Sequence, residues 1–541
     1  MFNKVLIRIY LILKTLNVVF MNITKRKGTN KWGPAIVACM AIFIIVLDMS
    51  AMNVAITNLV KDLNTSLTTI QAIIALYALI IASFMLIGSK IQDIIGRKKS
   101  FIVGVCIYGV GTLTASLSAN AEMLLIGWAI LEGIGAALML PATTTIVGVS
   151  YEGRDKIKAF GIWGGISAMG SAIGPIFGGF FTNFLSWRMI FGSEFLIVII
   201  ILFYSYYIKD SESILKWKEF DYGGAVLSVI SLIIIVMGLL LFNDPTKWSI
   251  VPIVLFIGIA LFVVFLYWER RRIRSNKIPL SDITLLKNKT FSIGIVNSIF
   301  QQIPLAGYLF IMPVFLQQVT NIDAFMTGVI VLPSSIAVMA LSLMGVKIAE
   351  YINLKYIVCL GFIVAALGTW LLGGELSTNM SPYSIIPATM IFGAGVGMIL
   401  SQLTNYVMSA VDKSKDSDAA GLLNTFKNLG YSMGTALIGV LLIVGIIGGL
   451  TISIEDSNLG TNLTKDELHS ELFTYFDKMQ TGTPEKIPSE YHADASAIIS
   501  ETISMSMRLI FNILTLIFLV GAAISYVMPK GRVYNSSVPR A

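Results

Sequence analysis

Residues 34–60 read PAIVACMAIFIIVLDMSAMNVAITNLV, an apolar run in which Asp48 is the single charged residue. At about 1.5 Å of rise per residue, a helix of this length crosses a hydrocarbon layer about 30 Å thick. Backbone polar groups cannot stay unpaired in lipid, so such a run must be helical. The stretch therefore predicts a transmembrane helix.

Similar apolar runs recur along nearly the whole chain of 541 residues. Hydrophobic residues make up 56% of the chain and charged residues 13%, whereas a soluble domain has about 25% charged residues. The sequence thus predicts an all-α membrane protein. We place fourteen spans near 34–60, 69–89, 100–118, 122–148, 158–183, 187–208, 221–242, 250–269, 291–317, 325–346, 355–374, 382–409, 419–448 and 505–528.

Basic residues concentrate in alternate loops between these spans. With the termini included, 31 of the 39 Lys and Arg residues fall on one side. This bias is the positive-inside rule, which predicts a multi-pass protein of the cell membrane with both termini in the cytoplasm. The net charge of +8 therefore indicates orientation, and we expect no nucleic-acid partner.

Three parts of the chain lie outside the spans. Residues 1–33 form a cytoplasmic N-terminal segment, and their apolar start fits an interfacial helix, a signal-like segment or a start codon assigned too early, with Met21 as the true start. Residues 449–504 form an extracellular loop, in which 468–479 has apolar residues at helical spacing. Residues 529–541 form a cytoplasmic tail.

An internal repeat runs through the sequence. Residues 88–93 (GSKIQD) resemble 345–350 (GVKIAE), at an offset of 257 residues. Residues 133–140 (GIGAALML) resemble 393–400 (GAGVGMIL), at an offset of 260 residues. Two matches at nearly one offset indicate a duplication.

The repeat predicts two halves of six helices each. The halves are 34–208 and 291–528, and the two additional helices lie between them at 221–269. Paired halves with a site near the middle of the membrane are the architecture of alternating-access transporters. The sequence therefore favours a transporter.

The chain lacks the motifs of several catalytic classes. It contains no phosphate loop, nucleophile motif or dinucleotide fingerprint. Cys39, Cys106 and Cys359 lie far apart within apolar runs, and His469 and His492 match no metal spacing. We therefore expect no enzymatic activity, no cofactor and no metal, and we expect transport to be coupled to an ion gradient.

Residues 170–179, GSAIGPIFGG, carry the most specific motif of the chain. They resemble the antiporter motif G-x-x-x-G-P-x-x-G-G of the major facilitator superfamily, in its fourteen-span drug–proton antiporter branch. The resemblance implies the major facilitator fold and export rather than import. Small residues let helices approach closely, and proline bends the span. The motif residues are Gly170, Gly174, Pro175, Gly178 and Gly179.

The loop after the second span, DIIGRKK at 93–99, resembles the signature loop of the same superfamily. There the acid is thought to pair with basic residues and a helix N-terminus and so to stabilise one access state. Ser89 and Ile94 depart from the family pattern, which has glycine and arginine at these positions. The gating-loop candidates are Asp93, Gly96, Arg97 and Lys98.

The first span contains an acid within a second motif of this branch. Residues 47–56, LDMSAMNVAI, resemble L-D-x-T-x-x-N-V-A-L-P. A carboxylate at the depth of Asp48 is costly and usually faces a cavity, a proton path or a substrate. A structural hydrogen bond between helices is the alternative. Asn53 of the same motif is a candidate polar residue of the cavity.

The fourth span supplies a second acid, Glu132, at a depth similar to that of Asp48. The family often carries an arginine at the position of Ala129, so the role of that arginine does not carry over. If Asp48 and Glu132 face one water-accessible chamber, they resist simultaneous ionisation and titrate as a coupled pair. Such a pair can take up a proton from outside and release it when substrate binds.

Other polar groups in the spans leave more than one role open. Glu194 lies shallowly in the sixth span and is a third acid of the pathway, a partner for Arg188 or a lipid-interface residue. Lys427 stands where the family often has arginine, and we expect it to snorkel to the cytoplasmic end. The remaining candidates bind substrate or link helices: Gln301, Gln302, Gln402 and Asn405.

These observations predict a secondary-active, proton-coupled antiporter that exports small amphipathic or cationic compounds. Buried acids match cations, because an unpaired cation in a low-dielectric cavity is costly. The alternatives are an exporter of one endogenous lipid, peptide or metabolite, an uncoupled facilitator, and a membrane sensor or scaffold that transports nothing. The expected partners are a small-molecule substrate, protons and the lipid bilayer, and we expect the protein to function as a monomer.

Overall fold

The helices of the protein follow the spans predicted from its hydropathy. The computed structural model describes residues 31–210, 213, 215–243, 247–349, 351–378, 380–411, 415–456 and 492–529. Within these residues, fourteen helices are long and apolar enough to cross a membrane, and no residue is in a strand. The prediction of an all-α membrane protein is confirmed.

The helices form two groups of six with two central helices between them. The first six are α1 (Gly33–Asp62), α2 (Leu67–Ile95), α3 (Arg97–Ser116), α4 (Ala121–Ser150), α5 (Gly153–Phe184) and α6 (Arg188–Tyr204). The central pair is α7 (Tyr222–Leu240) and α8 (Val251–Arg274). The last six are α9 (Lys289–Gln318), α10 (Ala324–Ile348), α11 (Leu354–Glu375), α12 (Ile386–Ser409), α13 (Asp416–Asp456) and α14 (His492–Val527).

An even number of crossings places the start of α1 and the end of α14 on one side, which we call the terminal face. Contacts agree with this arrangement. Lys31 before α1 pairs with Asp155 at the start of α5 at 2.6 Å. Lys90 near the end of α2 pairs with Asp418 at the start of α13 at 2.9 Å. The other side is the opposite face.

Helices extend into the predicted loop 449–504 from both ends. α13 continues to Asp456, and α14 begins at His492. Hydropathy detects the part of a helix that suits lipid, and the apolar segments here end at Leu450 and begin again at Ser500. Helices can extend beyond that part into water. The predicted helix 468–479, residues 1–30 and residues 530–541 lie outside the described residues.

Local sequence explains how the ends of several helices form. The Ser66 hydroxyl accepts a hydrogen bond from the Thr69 backbone N–H at 3.1 Å and so caps α2. Gly96 alone separates α2 from α3 and has a φ of 88°. A glycine adopts this left-handed conformation without the strain that a Cβ atom brings. The tight corner between the two helices therefore depends on Gly96.

The predicted repeat has a counterpart in helix packing. A Cβ atom added to Gly104 of α3 would lie 3.0 Å from the carbonyl oxygen of Gly135 in α4. A Cβ atom added to Gly361 of α11 would lie 3.0 Å from the carbonyl oxygen of Gly395 in α12. Matching glycines thus permit the same close helix contact in each group of six.

The central helices lie at the side of the two groups. α7 packs on both α2 and α13 through an apolar cluster that includes Leu79, Leu232, Val236 and Leu429. α8 packs on α7 and exposes many large apolar side chains, among them Phe256 at 73%. Such a surface suits contact with lipid. α7 therefore covers the seam between the groups, and α8 lies outermost.

Candidate functional site

Three carboxyl groups from different helices converge inside the first six helices. Asp48 on α1, Glu132 on α4 and Glu194 on α6 are each fully buried. One oxygen of each lies within 4.8 Å of the others. We call these three residues the acid cluster.

Glu194 does not take two of the roles that the sequence left open for it. The Arg188 guanidinium pairs with Asp62 at 3.4 Å and donates to the Ser118 carbonyl oxygen at 3.0 Å. Glu194 has no exposed surface, so it does not lie at the lipid interface. Glu194 instead lies beside Asp48 and Glu132, as the first of the three roles requires.

Aromatic side chains enclose the acid cluster. The Trp128 indole N–H donates to Asp48 Oδ2 at 2.8 Å, and the Tyr108 hydroxyl donates to Glu194 Oε2 at 3.2 Å. The Trp128 ring lies 5.6 Å from the ring of Tyr77 and 5.8 Å from that of Phe191. The sequence suggested a water-accessible chamber around Asp48 and Glu132. In this conformation the two acids share a site, but these rings exclude water from it.

Four of the six carboxyl oxygens in the acid cluster have no hydrogen-bond partner among the described residues. They are Asp48 Oδ1, both oxygens of Glu132 and Glu194 Oε1. Burial disfavours ionised carboxylates, and like charges this close repel each other strongly. Full ionisation of all three groups at once is therefore costly.

A local change in helix type helps to position Glu132. Residues Leu125–Glu132 of α4 form a π-helix, a rare form that often occurs at functional sites. Trp128 and Glu132, four residues apart, both face Asp48. A Cβ atom added to Gly111 on α3 would lie 2.6 Å from Glu132 Cγ, so this glycine leaves room for the acid. Sequence reasoning missed Trp128, although its spacing from Glu132 could have indicated it.

The antiporter motif packs α5 against the segment of α1 that carries Asp48. A Cβ atom added to Gly174 would lie 2.4 Å from Ser50 Cβ, and one added to Gly178 would lie 2.3 Å from the Ala51 carbonyl oxygen. The nearest atom to an added Cβ of Gly170 is also on α1, at 3.2 Å. These three glycines therefore fix the distance between α5 and the helix of the acid.

The same motif also touches the second group of six helices. A Cβ atom added to Gly179 would lie 2.4 Å from the Ala324 carbonyl oxygen of α10. A Cβ atom added to Gly328 of α10 would lie 2.3 Å from the Pro175 carbonyl oxygen. The motif thus lies between α1 on one side and α10 on the other.

The seam between α5 and α10 is closed near the opposite face and looser towards the terminal face. Near the opposite face, the rings of Phe184 and Phe325 lie 5.4 Å apart, in addition to the glycine contacts. Towards the terminal face, a Cβ atom added to Gly164 or Gly165 of α5 would have no neighbour within 4 Å. Residues 165–169 all keep part of their surface accessible. The structure therefore has space beside α5 on the terminal side.

The gating-loop candidates lie at the terminal face. Gly96 forms the corner described above and Arg97 begins α3. The Asp93 carbonyl oxygen accepts a hydrogen bond from the Leu215 N–H at 3.0 Å, and Lys98 pairs with Asp210 at 3.8 Å. These contacts link the loop to the segment before α7. An ion pair that does join the two groups of six is Lys90–Asp418, whose side chains are 10% and 20% exposed.

We predict that the Lys90–Asp418 pair sets the balance between access states. Lys90→Asp or Asp418→Lys alone places like charges together, and we expect transport in vesicles to fall about tenfold. The double exchange, Lys90→Asp with Asp418→Lys, restores the opposite charges and should recover most of the rate. A double variant no faster than the single variants would show that the pair has no such role.

The polar candidates of the spans differ in their surroundings. The Asn53 side-chain amide donates to the Tyr431 hydroxyl at 3.3 Å and joins α1 to α13. Gln301 and Gln402 are fully buried and donate to Gln302 at 3.5 Å and to Ser401 at 2.9 Å. They therefore contact neighbours in their own helices.

Two further polar side chains join neighbouring helices, and sequence reasoning did not single out the first of them, Gln317. The Gln317 amide donates to the Val54 carbonyl oxygen at 2.7 Å and so joins α9 to α1. The Lys427 ammonium donates to the Thr404 hydroxyl of α12 at 2.7 Å. Lys427 thus bonds to a neighbouring helix of its own group of six. Asn405, next to Thr404, is exposed, and Gln302 is partly exposed.

Comparison with known proteins agrees with this architecture. The family model described as Major Facilitator Superfamily matches residues 38–221 and 220–435. The chain is also similar to a solved structure, the crystal structure of a D-xylose-proton symporter, with a TM-score of 0.54 and 14% sequence identity. That match covers 76% of this chain and 90% of the symporter chain. At this identity the similarity concerns the fold alone.

Two curated relatives are similar over most of their length. One is the riboflavin transporter RibZ of Clostridioides difficile (strain 630), 26% identical over 415 residues, or 75% of this chain and 87% of RibZ. The other is the multidrug resistance protein Stp of Mycobacterium tuberculosis (strain ATCC 25618 / H37Rv), 25% identical over 408 residues, or 74% of each chain. The roles in these names are those of the two relatives and not of this chain.

Proposed function

The chain belongs to the Major Facilitator Superfamily, and we propose that within it the protein is a proton-coupled exporter of small amphipathic compounds. Members of this family are transporters and not enzymes. Relatives named for drug or antibiotic resistance support export. RibZ, which is named as a riboflavin transporter, supports the alternative of one specific metabolite.

The acid cluster is the observation that carries the coupling proposal. Three carboxyls within 4.8 Å of one another, with four oxygens lacking partners among the described residues, can exchange protons as the surroundings change. A conformational change that separates the enclosing rings would let water reach the cluster. We propose that protons enter from the opposite face and leave at the terminal face.

We place the terminal face in the cytoplasm because most basic residues lie in the loops on that side. Substrate would then enter beside α5, where the seam with α10 is loose, and leave after the opposite face opens. We further propose that the protein acts in the cell membrane and as a monomer, since one chain contains both groups of six helices.

The position of the acid cluster bears on which compounds are exported. The carboxyls lie among α1, α4 and α6, and in this conformation no substrate can touch them. The proposal therefore does not require a positive charge on the substrate. Cationic compounds remain one class within the amphipathic compounds that a transport assay should include.

Coupling to another cation is the second candidate, since carboxylate oxygens are also ligands for hard cations. Vesicles containing the purified protein can separate the two. We expect an imposed proton gradient to drive uptake of ethidium, riboflavin or rhodamine B, with proton movement in the opposite direction. Uptake driven by a sodium gradient at constant pH would reject proton coupling, and no uptake of any probe under either gradient would reject export of this class.

Glu132→Gln tests the number of protons that the cluster exchanges. The slope of log affinity against pH counts the protons released on substrate binding. Removing one of three coupled carboxyls should make this slope smaller, with rhodamine B as the probe. Glu122→Gln, an exposed acid at the start of the same helix, is the matched control and should leave the slope unchanged. Equal slopes for the Glu132 variant and the unmodified protein would exclude Glu132 from the exchange.

A further inference from the structure

A cationic side chain lies at the boundary between the two groups of helices, away from the acid cluster. Lys427 follows the start of α13 at Asp416 by about three helical turns, which places it within the membrane span. It lies four residues before Tyr431, so the two side chains share one face of α13. Tyr431 accepts a hydrogen bond from Asn53 of α1. Lys427 therefore lies one turn closer to the terminal face than a contact that joins the two groups.

The N–H donors of the Lys427 ammonium outnumber the hydrogen-bond acceptors that the described residues provide for them. The ammonium has three N–H donors, and the Thr404 hydroxyl accepts one of them at 2.7 Å. No Asp or Glu carboxylate among the described residues forms an ion pair with it. A cation inside a membrane span is costly unless it finds a partner. An incoming anionic group would provide that partner.

The surroundings of Lys427 suit a polar group that arrives from the terminal face. Lys427, Thr404 and Gln302 are all partly exposed, and Asn405 is exposed. A Cβ atom added to Gly430 would lie 3.2 Å from Gln302 Cβ, so α9 lies next to this part of α13. Hydroxyl and amide groups thus lie on helices that adjoin the ammonium. The space beside α5 opens towards the same face.

We propose that Lys427, with Thr404 beside it, binds an oxyanion group of the transported compound, such as a carboxylate or a phosphate. This inference rests on the proposed export function and specifies its substrate class. The preferred substrates are amphipathic acids and zwitterions, because a compound with only positive charge meets Lys427 with like charge. The protons and the oxyanion then occupy separate places, with α1 between the acid cluster and the boundary.

Binding of a matched pair of dyes tests the proposal. Rhodamine B carries a free carboxylate, and its ethyl ester does not, while the cationic ring system is the same. We expect the purified protein in lipid nanodiscs to bind rhodamine B about tenfold more tightly than the ester, measured by fluorescence anisotropy at pH 7 without any gradient. Lys427→Met should remove this difference, and Lys427→Arg should keep it.

Two controls distinguish the site from a general effect of charge or folding. Lys289→Met removes an exposed lysine at the start of α9 and should keep the preference for the acid. Lys427→Met should still bind the ester, whereas a variant that only misfolds loses the binding of both dyes. Thr404→Val removes the hydroxyl beside the ammonium and should weaken the preference for the acid. Equal binding of both dyes, preference for the ester, binding of neither, or an unchanged preference in Lys427→Met would overturn the assignment.

The same measurements separate this inference from the proposed function. Equilibrium binding requires no proton gradient, so an acid preference that depends on Lys427 can stand even if gradient-driven transport fails. Conversely, proton-driven transport with no role for Lys427 would leave the export function in place and remove the oxyanion site.

Discussion

Asp48→Asn is expected to abolish proton-driven transport, with a loss of about a hundredfold or more in vesicles. The asparagine has nearly the same size and can still accept the hydrogen bond that the Trp128 indole donates to Asp48 Oδ2. It cannot take up or release a proton, however, so the cluster loses one of its three exchangeable sites. The measurement is uptake of a fluorescent substrate driven by an imposed pH difference.

Two controls distinguish a loss of proton exchange at Asp48 from a general effect of the substitution or from misfolding. Glu122→Gln makes the same acid-to-amide change at an exposed site and should transport normally. The thermal unfolding temperature of Asp48→Asn should be at least as high as that of the unmodified protein, because a buried ionisable group has been replaced by a neutral one. Normal uptake by a well-folded Asp48→Asn variant would remove Asp48 from the coupling mechanism.

Gly179→Val is expected to prevent closure at the opposite face. The added Cβ atom would lie 2.4 Å from the Ala324 carbonyl oxygen and 2.9 Å from Phe325 Cα, and backbone atoms cannot move aside as a flexible side chain can. Overpacking of this kind costs about 1–3 kcal/mol, which changes the ratio of two states by about tenfold or more. We expect transport to fall by a similar factor.

Distances between spin labels can show this change directly. Labels at the exposed positions Leu185 and Gln318, near the opposite face, should move apart in Gly179→Val. Gly165→Val is the matched control on the same helix, because a Cβ atom added there meets nothing within 4 Å. If both variants give the distance distribution of the unmodified protein, the contact between α5 and α10 does not set the closed state.

Hydropathy and repeats predicted the fold well because lipid imposes a simple rule on the chain. Every backbone polar group must be paired within its own helix, so each long apolar run becomes a helix. Glycine spacing could also be interpreted from the sequence, since closely packed helices need small residues. Both signals are local. The ends of α13 and α14 escaped prediction because the helices continue after the apolar signal has stopped.

The candidate site was harder to predict because it depends on which faces of distant helices meet. Asp48 and Glu132 could be identified as costly acids within spans, whereas the contact of Glu194 with both of them could not. The aromatic enclosure depends on Tyr108 and Trp128, which carry no charge and resemble packing residues in the sequence. The π-helical part of α4 has no sequence pattern that distinguishes it from an ordinary helix.

The position of α7 determines how the two groups of helices can move relative to each other. α2 and α13 touch from Gln71, which donates to the Thr435 carbonyl oxygen, to the Lys90–Asp418 pair, and α7 packs on both. The close glycine and ring contacts between α5 and α10 described above lie near the opposite face. A rotation axis that runs along α2 and α13 would preserve the contact that reaches from one face to the other. The amplitude of opening should therefore be unequal, small beside α7 and large beside α5.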